Sequence, residues 1–360
     1  MNISEKAKGI IDSCRFCWMC RHICPIGNAT GQERNTARAR ALCASLVVRG
    51  AQTSDDIKDN LYECTLCGAC TNNCMTGWDP KVFVREMRRE LILEGKTPDY
   101  IMKLLENYFA KGNVYGKEIC SCLDEVLVDK KSETLVFMGE DAIYQSPESV
   151  KNVAKLLSVA NVDYTFGNLY DAGSSIYFLT GPTAEALASA KKFASYANGF
   201  KTIVVYDPVD LSLLLHEYKE WGIEISAKIV GFNEYLLSLI NEGKLEVNKS
   251  DVEYTLQDSY AYARELDDPD LGRRLIEKVG IVKDMLLIRK EANLAGNLIM
   301  NEYMPEVIKT VALNRWENVE GMNCSTVVTE NPAEYVMLKA TCPEGKKVIS
   351  VEEMILENLK

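Results

Sequence analysis

Eight of the thirteen cysteines in this 360-residue chain fall into two copies of one pattern, C-x2-C-x2-C-x3-C. The first copy is Cys14, Cys17, Cys20 and Cys24, followed by Pro25; the second is Cys64, Cys67, Cys70 and Cys74, followed by Met75. Three thiols at i, i+3 and i+6 in a tight loop turn their sulfurs toward three corners of a cube, and the fourth is displaced along the chain. Pro25 removes a backbone donor and fixes φ where the chain leaves the first loop. Two other chemistries compete. Disulfides need an oxidising compartment, and no secretory signal is read ahead of Cys14. Zinc commonly takes two C-x2-C pairs, and a duplicated run of four exceeds what a tetrahedral site requires.

The paired runs resemble the ligand set of a two-cluster bacterial-type ferredoxin, which holds two [4Fe-4S] centres. In such modules the displaced cysteine of each run ligates the other cluster. The resemblance therefore implies Cys14, Cys17, Cys20 and Cys74 for cluster one. It implies Cys64, Cys67, Cys70 and Cys24 for cluster two. Charge is distributed accordingly. Residues 1–98 carry 14 Lys and Arg against 11 Asp and Glu, and the remainder carries 27 against 41. An oxidised [4Fe-4S] core with four thiolates is a dianion, so the basic excess of the N-terminal part reads as compensation for buried cluster charge. No nucleic-acid role is needed, and the acidic remainder argues against one. No apolar run approaches the 18 residues of a spanning helix, so no transmembrane segment is expected. The thiol-rich chain is expected in the cytoplasm, peripheral at a membrane only through partners.

The expected organisation is an α-helical ferredoxin domain over 1–98, a connector over 99–132, and two α/β repeats over 133–245 and 246–360. In the first part, NTARARALCASLVVRG reads as a helix capped by Asn35 and ended by Gly50. Its Arg34, Arg38, Arg40 and Arg49 form a docking face, a screen for the cluster charge, or a solvated face, the last being favoured. VFVREMRRELILEG reads as an amphipathic helix stopped by Gly95 and Pro98. Beyond the connector, seven strand-like runs are expected at 133–139, 201–207, 226–232, 252–258, 283–288, 325–330 and 346–351. Helices are expected to begin near Pro147, Pro182, Pro208, Pro269, Lys290 and Pro332. SIYFLTG (175–181) has strand propensity but is bracketed by glycines. Such alternation predicts α/β layers with largely parallel strands.

These layers carry an internal repeat. Ala172-Gly173 precedes Pro208 by 35 residues, and Ala295-Gly296 precedes Pro332 by 36. Each proline follows a Val-Val strand in the order Asp or Asn, Pro, x, Asp or Glu. Asp207 and Asn331 are expected N-caps, with Pro208 and Pro332 at the first helical position.

Two cysteine runs followed by two α/β repeats resemble the iron–sulfur subunits of anaerobic glycerol-3-phosphate dehydrogenase, glycolate oxidase and heterodisulfide reductase. In that family each repeat carries Cys-Cys-Gly and Cys-Pro-x-Cys elements that bind a further, non-cubane cluster. The matching positions here are Asp171-Ala172-Gly173, Leu294-Ala295-Gly296, Asp207-Pro208-Val209-Asp210 and Asn331-Pro332-Ala333-Glu334. Leucine and alanine cannot ligate iron, so no third cluster is expected. The family's Asp-Pro-Cys-His stretch becomes Asp258-Ser259-Tyr260-Ala261, with Arg264 retained nearby. Asp207, Asp210 and Glu334 form either an acidic ligand site or simple helix caps.

The resemblance implies an electron-transfer subunit with no catalytic site of its own. An FAD-linked oxidase or dehydrogenase subunit would oxidise a 2-hydroxy acid or polyol derivative, with a quinone or other carrier as acceptor. The alternatives are a heterodisulfide or thiol reductase, using Cys120 and Cys122 in the latter case, and a redox sensor or scaffold. Cys43, Cys324 and Cys342 are expected as packed thiols. His22 lies inside the first loop, and Trp18 and Trp78 flank the runs as shields against water. His216 is read as a packing residue. No phosphate-cradling glycine loop appears, so neither a nicotinamide nor an ATP site is supported.

Overall fold

The β-branched runs become strands that are buried almost end to end, as parallel strands covered on both faces must be. In the computed structural model, which describes every residue except Phe16 and Asp129, Thr134–Phe137 (β1), Thr202–Val205 (β2) and Lys228–Gly231 (β3) form a parallel sheet in the order β1-β2-β3. Glu253–Gln257 (β4), Ile281–Val282 (β5), Thr326–Thr329 (β6) and Lys347–Ser350 (β7) form a second parallel sheet in the order β5-β4-β6-β7. Pro147–Val159, Ala184–Ala197, Pro208–Leu215 and Phe232–Asn241 are helices of the first repeat. The protein is thus α/β, with a helical N-terminal part and two parallel repeats.

Both expected caps form. Asp207 accepts from the Val209 N–H at 2.8 Å and Asn331 from the Glu334 N–H at 3.1 Å, with Pro208 and Pro332 opening the helices. These turns leave the two sheets with their C-terminal ends facing each other. Tyr206 Oη donates to Glu352 at 2.8 Å, and Asn331 Nδ2 donates to Asp207 at 3.4 Å.

Four expectations need correction. KDMLLI is not a strand: only Ile281–Val282 pairs, and Leu287 and Arg289 then adopt positive φ as the chain turns away. SIYFLTG is a helix, Ser174–Thr180, framed by Gly173 and Gly181 at φ +89 and +65. The helix after the first run is capped by Thr36 instead of Asn35 and spans Ala37–Val48. Lys290 opens no α-helix but lies in a 3₁₀ turn, Arg289–Glu291, whereas the helix expected near Pro269 forms at Leu271–Val279.

The N-terminal part is seated across both repeats. Pro25–Thr30 packs on the Pro305–Glu317 helix of the second repeat, and Lys81–Leu93 packs on Ser174–Thr180 of the first. One hydrophobic cluster runs from Ala41, Leu61 and Met87 through Ile176 and Phe193 to Ile308 and Val311. In the connector, Tyr108 Oη donates to Asp171 at 2.6 Å and Tyr100 stacks on Tyr303 at 5.3 Å.

Arg88 locks this seat. It is fully buried and donates to the carbonyls of Leu61 (2.9 Å), Cys64 (2.7 Å) and Phe178 (2.5 Å). Arg88→Met keeps the volume but strands three buried carbonyls, and is expected to destabilise the chain by about 3 kcal/mol or more. Anaerobic denaturant unfolding measures this, and a loss below about 1 kcal/mol would contradict the role.

Candidate functional site

The helix Glu5–Asp12 delivers Cys14 to a loop that reverses at Trp18, whose φ is +70. This loop and the turn after the second run enclose an outer cavity of about 410 Å³, mouth included, lined by Cys14, Cys17, Cys20 and Cys74. Trp18, Met19, Met75 and Trp78 supply most of its remaining wall, with Arg15 and Arg38 at its edge. Trp78 is buried and donates from Nε1 to the Ile10 carbonyl at 2.7 Å. Trp18 is only half-sheltered, at 46% exposure, and Met75 is 86% exposed. Burial acts to raise the Cys74 thiol, but donors from Thr76, Gly77 and Trp78 outweigh it and lower the thiol below its ordinary value. Such donors favour a thiolate.

A second, inner cavity of about 390 Å³ is lined by Cys24, Cys64, Cys67 and Cys70. Cys24 caps the Pro25–Thr30 helix, its sulfur accepting from the Gly27 N–H at 3.4 Å. The second loop turns through Leu66 and Gly68 at φ +55 and +70, and a glycine at the latter avoids left-handed strain. Burial pushes the Cys24 thiol up to about 11, against the pull of Arg40. Burial, then the neighbouring Cys64 and Cys67, holds Cys70 well above its ordinary value. Free thiolates would be costly here. Soft metal ligation and nearby positive charge would offset that cost.

That charge is present. Arg40 and Lys81 line the inner cavity, Arg88 donates to the Cys64 carbonyl, and Arg264 Nη1 donates to the Cys67 carbonyl at 3.0 Å. Two sets of four thiols in largely apolar walls, with cations behind the inner set, fit iron–sulfur clusters by donor chemistry. Sequence reasoning missed Lys81 and Arg88, and it noted Arg264 only as retained. Their partners lie far along the chain, so no local pattern exposes them.

The other singled-out residues divide. Arg40 is buried, donating to the Asn60 carbonyl at 2.8 Å, and so cannot belong to a docking face. Arg34 pairs with Glu63, Arg49 with Asp12 at 3.2 Å, and Arg38 with Glu33 at 3.0 Å while stacking on Trp18 at 3.6 Å. His22 is exposed and lines neither cysteine cavity, and His216 is exposed at the end of its helix. Cys120 and Cys122 are exposed, and their contact lowers one thiol and raises the other. Cys324 is buried, with Cys43 and Cys342 partly so.

Where the family's extra ligands would stand, the side chains are packed. Ala172, Leu294 and Ala295 are buried in apolar clusters. Around them lies a cleft at the C-terminal ends of both sheets, where open α/β folds place ligands. Its walls include Glu140, Asp141, Asp207 and Asp210. Burial pushes Asp210 up to about 7 and Asp141 up to about 6, and holds Glu140 and Asp207 well above the carboxylate range. Glu140 and Asp141 went unnoticed in the sequence, although they follow an obvious strand at its C-terminal end. No helix among the described residues is long and apolar enough to cross a membrane.

Residues 10–78 match the family model of the 4Fe-4S dicluster domain. The EtfAB:quinone oxidoreductase of Syntrophomonas wolfei is 24% identical over 75% of this chain and 45% of its own length. In Methanosarcina acetivorans, one component of a ferredoxin-dependent CoB-CoM heterodisulfide reductase is 28% identical over 44% of this chain and 91% of its own. A component of the dihydromethanophenazine-linked heterodisulfide reductase from the same organism is 24% identical over 67% of this chain and 66% of its own. The chain spans only 29 to 45% of the longer curated relatives it matches. Residues 10–78 thus form a 4Fe-4S dicluster domain, and beyond them the chain is similar to iron–sulfur oxidoreductase components, heterodisulfide reductase subunits among them.

Proposed function

We propose that the chain is the electron-relay subunit of a flavin-dependent oxidoreductase complex. Cys14, Cys17, Cys20 and Cys74 hold one [4Fe-4S] cluster, and Cys24, Cys64, Cys67 and Cys70 hold the other. One observation carries the proposal: the eight thiols fall into two cavities of four, one open beside Trp18, Met19 and Met75, the other walled by the N-terminal part alone, with Arg264 of the second repeat donating to the Cys67 carbonyl behind it. Clusters bound there supply one-electron steps. Around them, the chain's residues exclude water from the inner set, compensate its charge with buried cations, and expose an apolar rim at the outer set. Such a rim, with Arg15 and Arg38 beside it, suits a transient redox partner.

On this reading an FAD-bearing partner subunit oxidises the substrate, a 2-hydroxy acid or polyol derivative as the family resemblance implies. A quinone or another carrier takes the electrons, and the relative named an EtfAB:quinone oxidoreductase supports that arm. The site of action is the cytoplasm or the membrane face reached through partners, and a relative named a probable membrane-anchored ferredoxin supports the latter. Heterodisulfide reduction of the family's kind would need iron ligands where Ala172, Leu294 and Ala295 pack, so we disfavour it.

Three outcomes test the reading. Anaerobically purified protein is expected to contain roughly eight irons per chain as two [4Fe-4S] clusters; about four, or zinc instead, would sink the assignment. Cys24→Ser is expected to damage the cluster held by Cys64, Cys67 and Cys70, seen by EPR of the reduced protein. Damage confined to the cluster of Cys14, Cys17 and Cys20 would refute the crossed arrangement. Finally, Met75→Glu is expected to slow electron exchange with a co-purified flavoprotein about tenfold with iron content unchanged, since rim substitutions act on encounter. An unaltered rate would move the docking face elsewhere.

A further inference from the structure

The two repeats bury acidic side chains at matching places, but they treat them differently. In the second repeat, Asp258 receives both Nη atoms of Arg273, at 2.5 and 3.0 Å. Glu334 accepts from the Ala295 N–H at 3.1 Å and from Gln257 Nε2 at 2.9 Å, and Gln257 is itself held by buried Arg315 at 2.5 Å. In the first repeat, Asp210 occupies the position equivalent to Glu334. Among the described residues, no Lys or Arg pairs with Glu140, Asp141, Asp207 or Asp210 within 4 Å.

Two of the first-repeat acids also keep unpartnered oxygens. Glu140 is 3% exposed, and neither Oε1 nor Oε2 has a partner among the described residues, although Ser175 stands near enough to ease its charge. Asp210 is 3% exposed, and its Oδ1 is likewise unpartnered. Both side chains line a cleft of about 530 Å³, mouth included, together with Ser174, Phe178 and Tyr260. The arrangement is tightly set. Gly139 has φ +78, and a Cβ there would lie 2.3 Å from Asp210 Oδ2, so only glycine lets this carboxylate lie against the turn after β1. Leaving three buried acceptor atoms unpaired is expensive, and a ligand that donates to them recovers that cost.

The ligand's chemistry follows from the walls. Once ionised these carboxylates only accept, and a positively charged donor beside them favours that ionised form against the burial that opposes it. A hard divalent metal takes six or more oxygens around one point, whereas the unpartnered oxygens here are those of only two carboxylates, Glu140 and Asp210. An ammonium group instead offers three separate N–H donors, which suits spread acceptors. Phe178 and Tyr260 give apolar, π-bearing faces for the rest of such a molecule.

We propose that this cleft is a binding site for a small organic cation carrying a primary ammonium group, held by Glu140 and Asp210. The site is separate from the cysteine cavities and does not depend on the relay reading.

The test uses the full chain with its clusters, purified anaerobically. Isothermal titration and thermal melting are run with n-butylamine and 1,4-diaminobutane as probes, n-butanol as the uncharged match, and magnesium and calcium chlorides as metal arms. The expected result is saturable binding of an amine at one site per chain, with a raised Tm and no response to butanol. Glu140→Gln and Asp210→Asn are each expected to weaken amine binding about tenfold or more, the loss of a charge-assisted hydrogen bond. Absence of amine binding into the millimolar range overturns the proposal. So does binding of the divalent metals alone, or amine binding unchanged in both variants. Should a variant fail to fold, the amine against butanol comparison on the unmodified chain decides the matter by itself.

Discussion

Burying an anionic cluster requires positive charge within the protein, and in this chain that requirement organises the junction of all three parts. The inner set of thiols is the less accessible one, and the cations behind it come from different elements. Arg40 rises from the helix between the cysteine runs, Lys81 and Arg88 from the helix after them, and Arg264 from the second repeat. Lys81 also pairs with Glu265 at 2.6 Å, so one residue joins the inner cavity to the second repeat. Arg88 does the same toward the first repeat through the Phe178 carbonyl. The repeats are therefore more than ballast for a small ferredoxin. The second repeat supplies a cation, Arg264, to the backbone of its inner cysteine loop and a partner, Glu265, to Lys81.

The same junction leaves a cleft between the two repeats. Their sheets meet at C-terminal ends, where strand-to-helix turns project side chains into a shared space. In the second repeat the acids there are tied to Arg273 and through Gln257 to Arg315. Both repeats keep unmatched acid oxygens, Glu334 Oε2 in the second and those of Glu140 and Asp210 in the first, and of these only the first-repeat acids stand, among the described residues, without an arginine held nearby. Apolar packing at Ala172, Leu294 and Ala295 keeps the frame rigid without a metal.

What the sequence disclosed follows the range of the forces involved. The cysteine runs were legible because a cluster loop is set by spacing over a few residues. Six of the seven strand-like runs were legible because β-branched residues buried on both faces leave a continuous apolar signature. SIYFLTG misled because a short apolar run has no period that separates a buried helix from a strand. KDMLLI misled because Met285 and Ile288 fill the core from a loop instead of a strand. Arg40 looked like a surface residue among other arginines, and only its contacts with Asn35 and Asn60 bury it. Glu140 and Asp141 carried a positional signal at the end of a strand, but their isolation from cations is a property of the assembled repeats alone.

Each cysteine run, on the proposed ligation, contributes its last thiol to the other run's centre, binding two clusters into one compact relay. EPR of the fully reduced protein tests this crossing most directly, because two paramagnetic clusters that share crossed loops lie close enough to couple. The expected result is a broadened, interacting spectrum that simplifies to an isolated signal when only one cluster is reduced. Two independent, non-interacting signals in the fully reduced protein would contradict it.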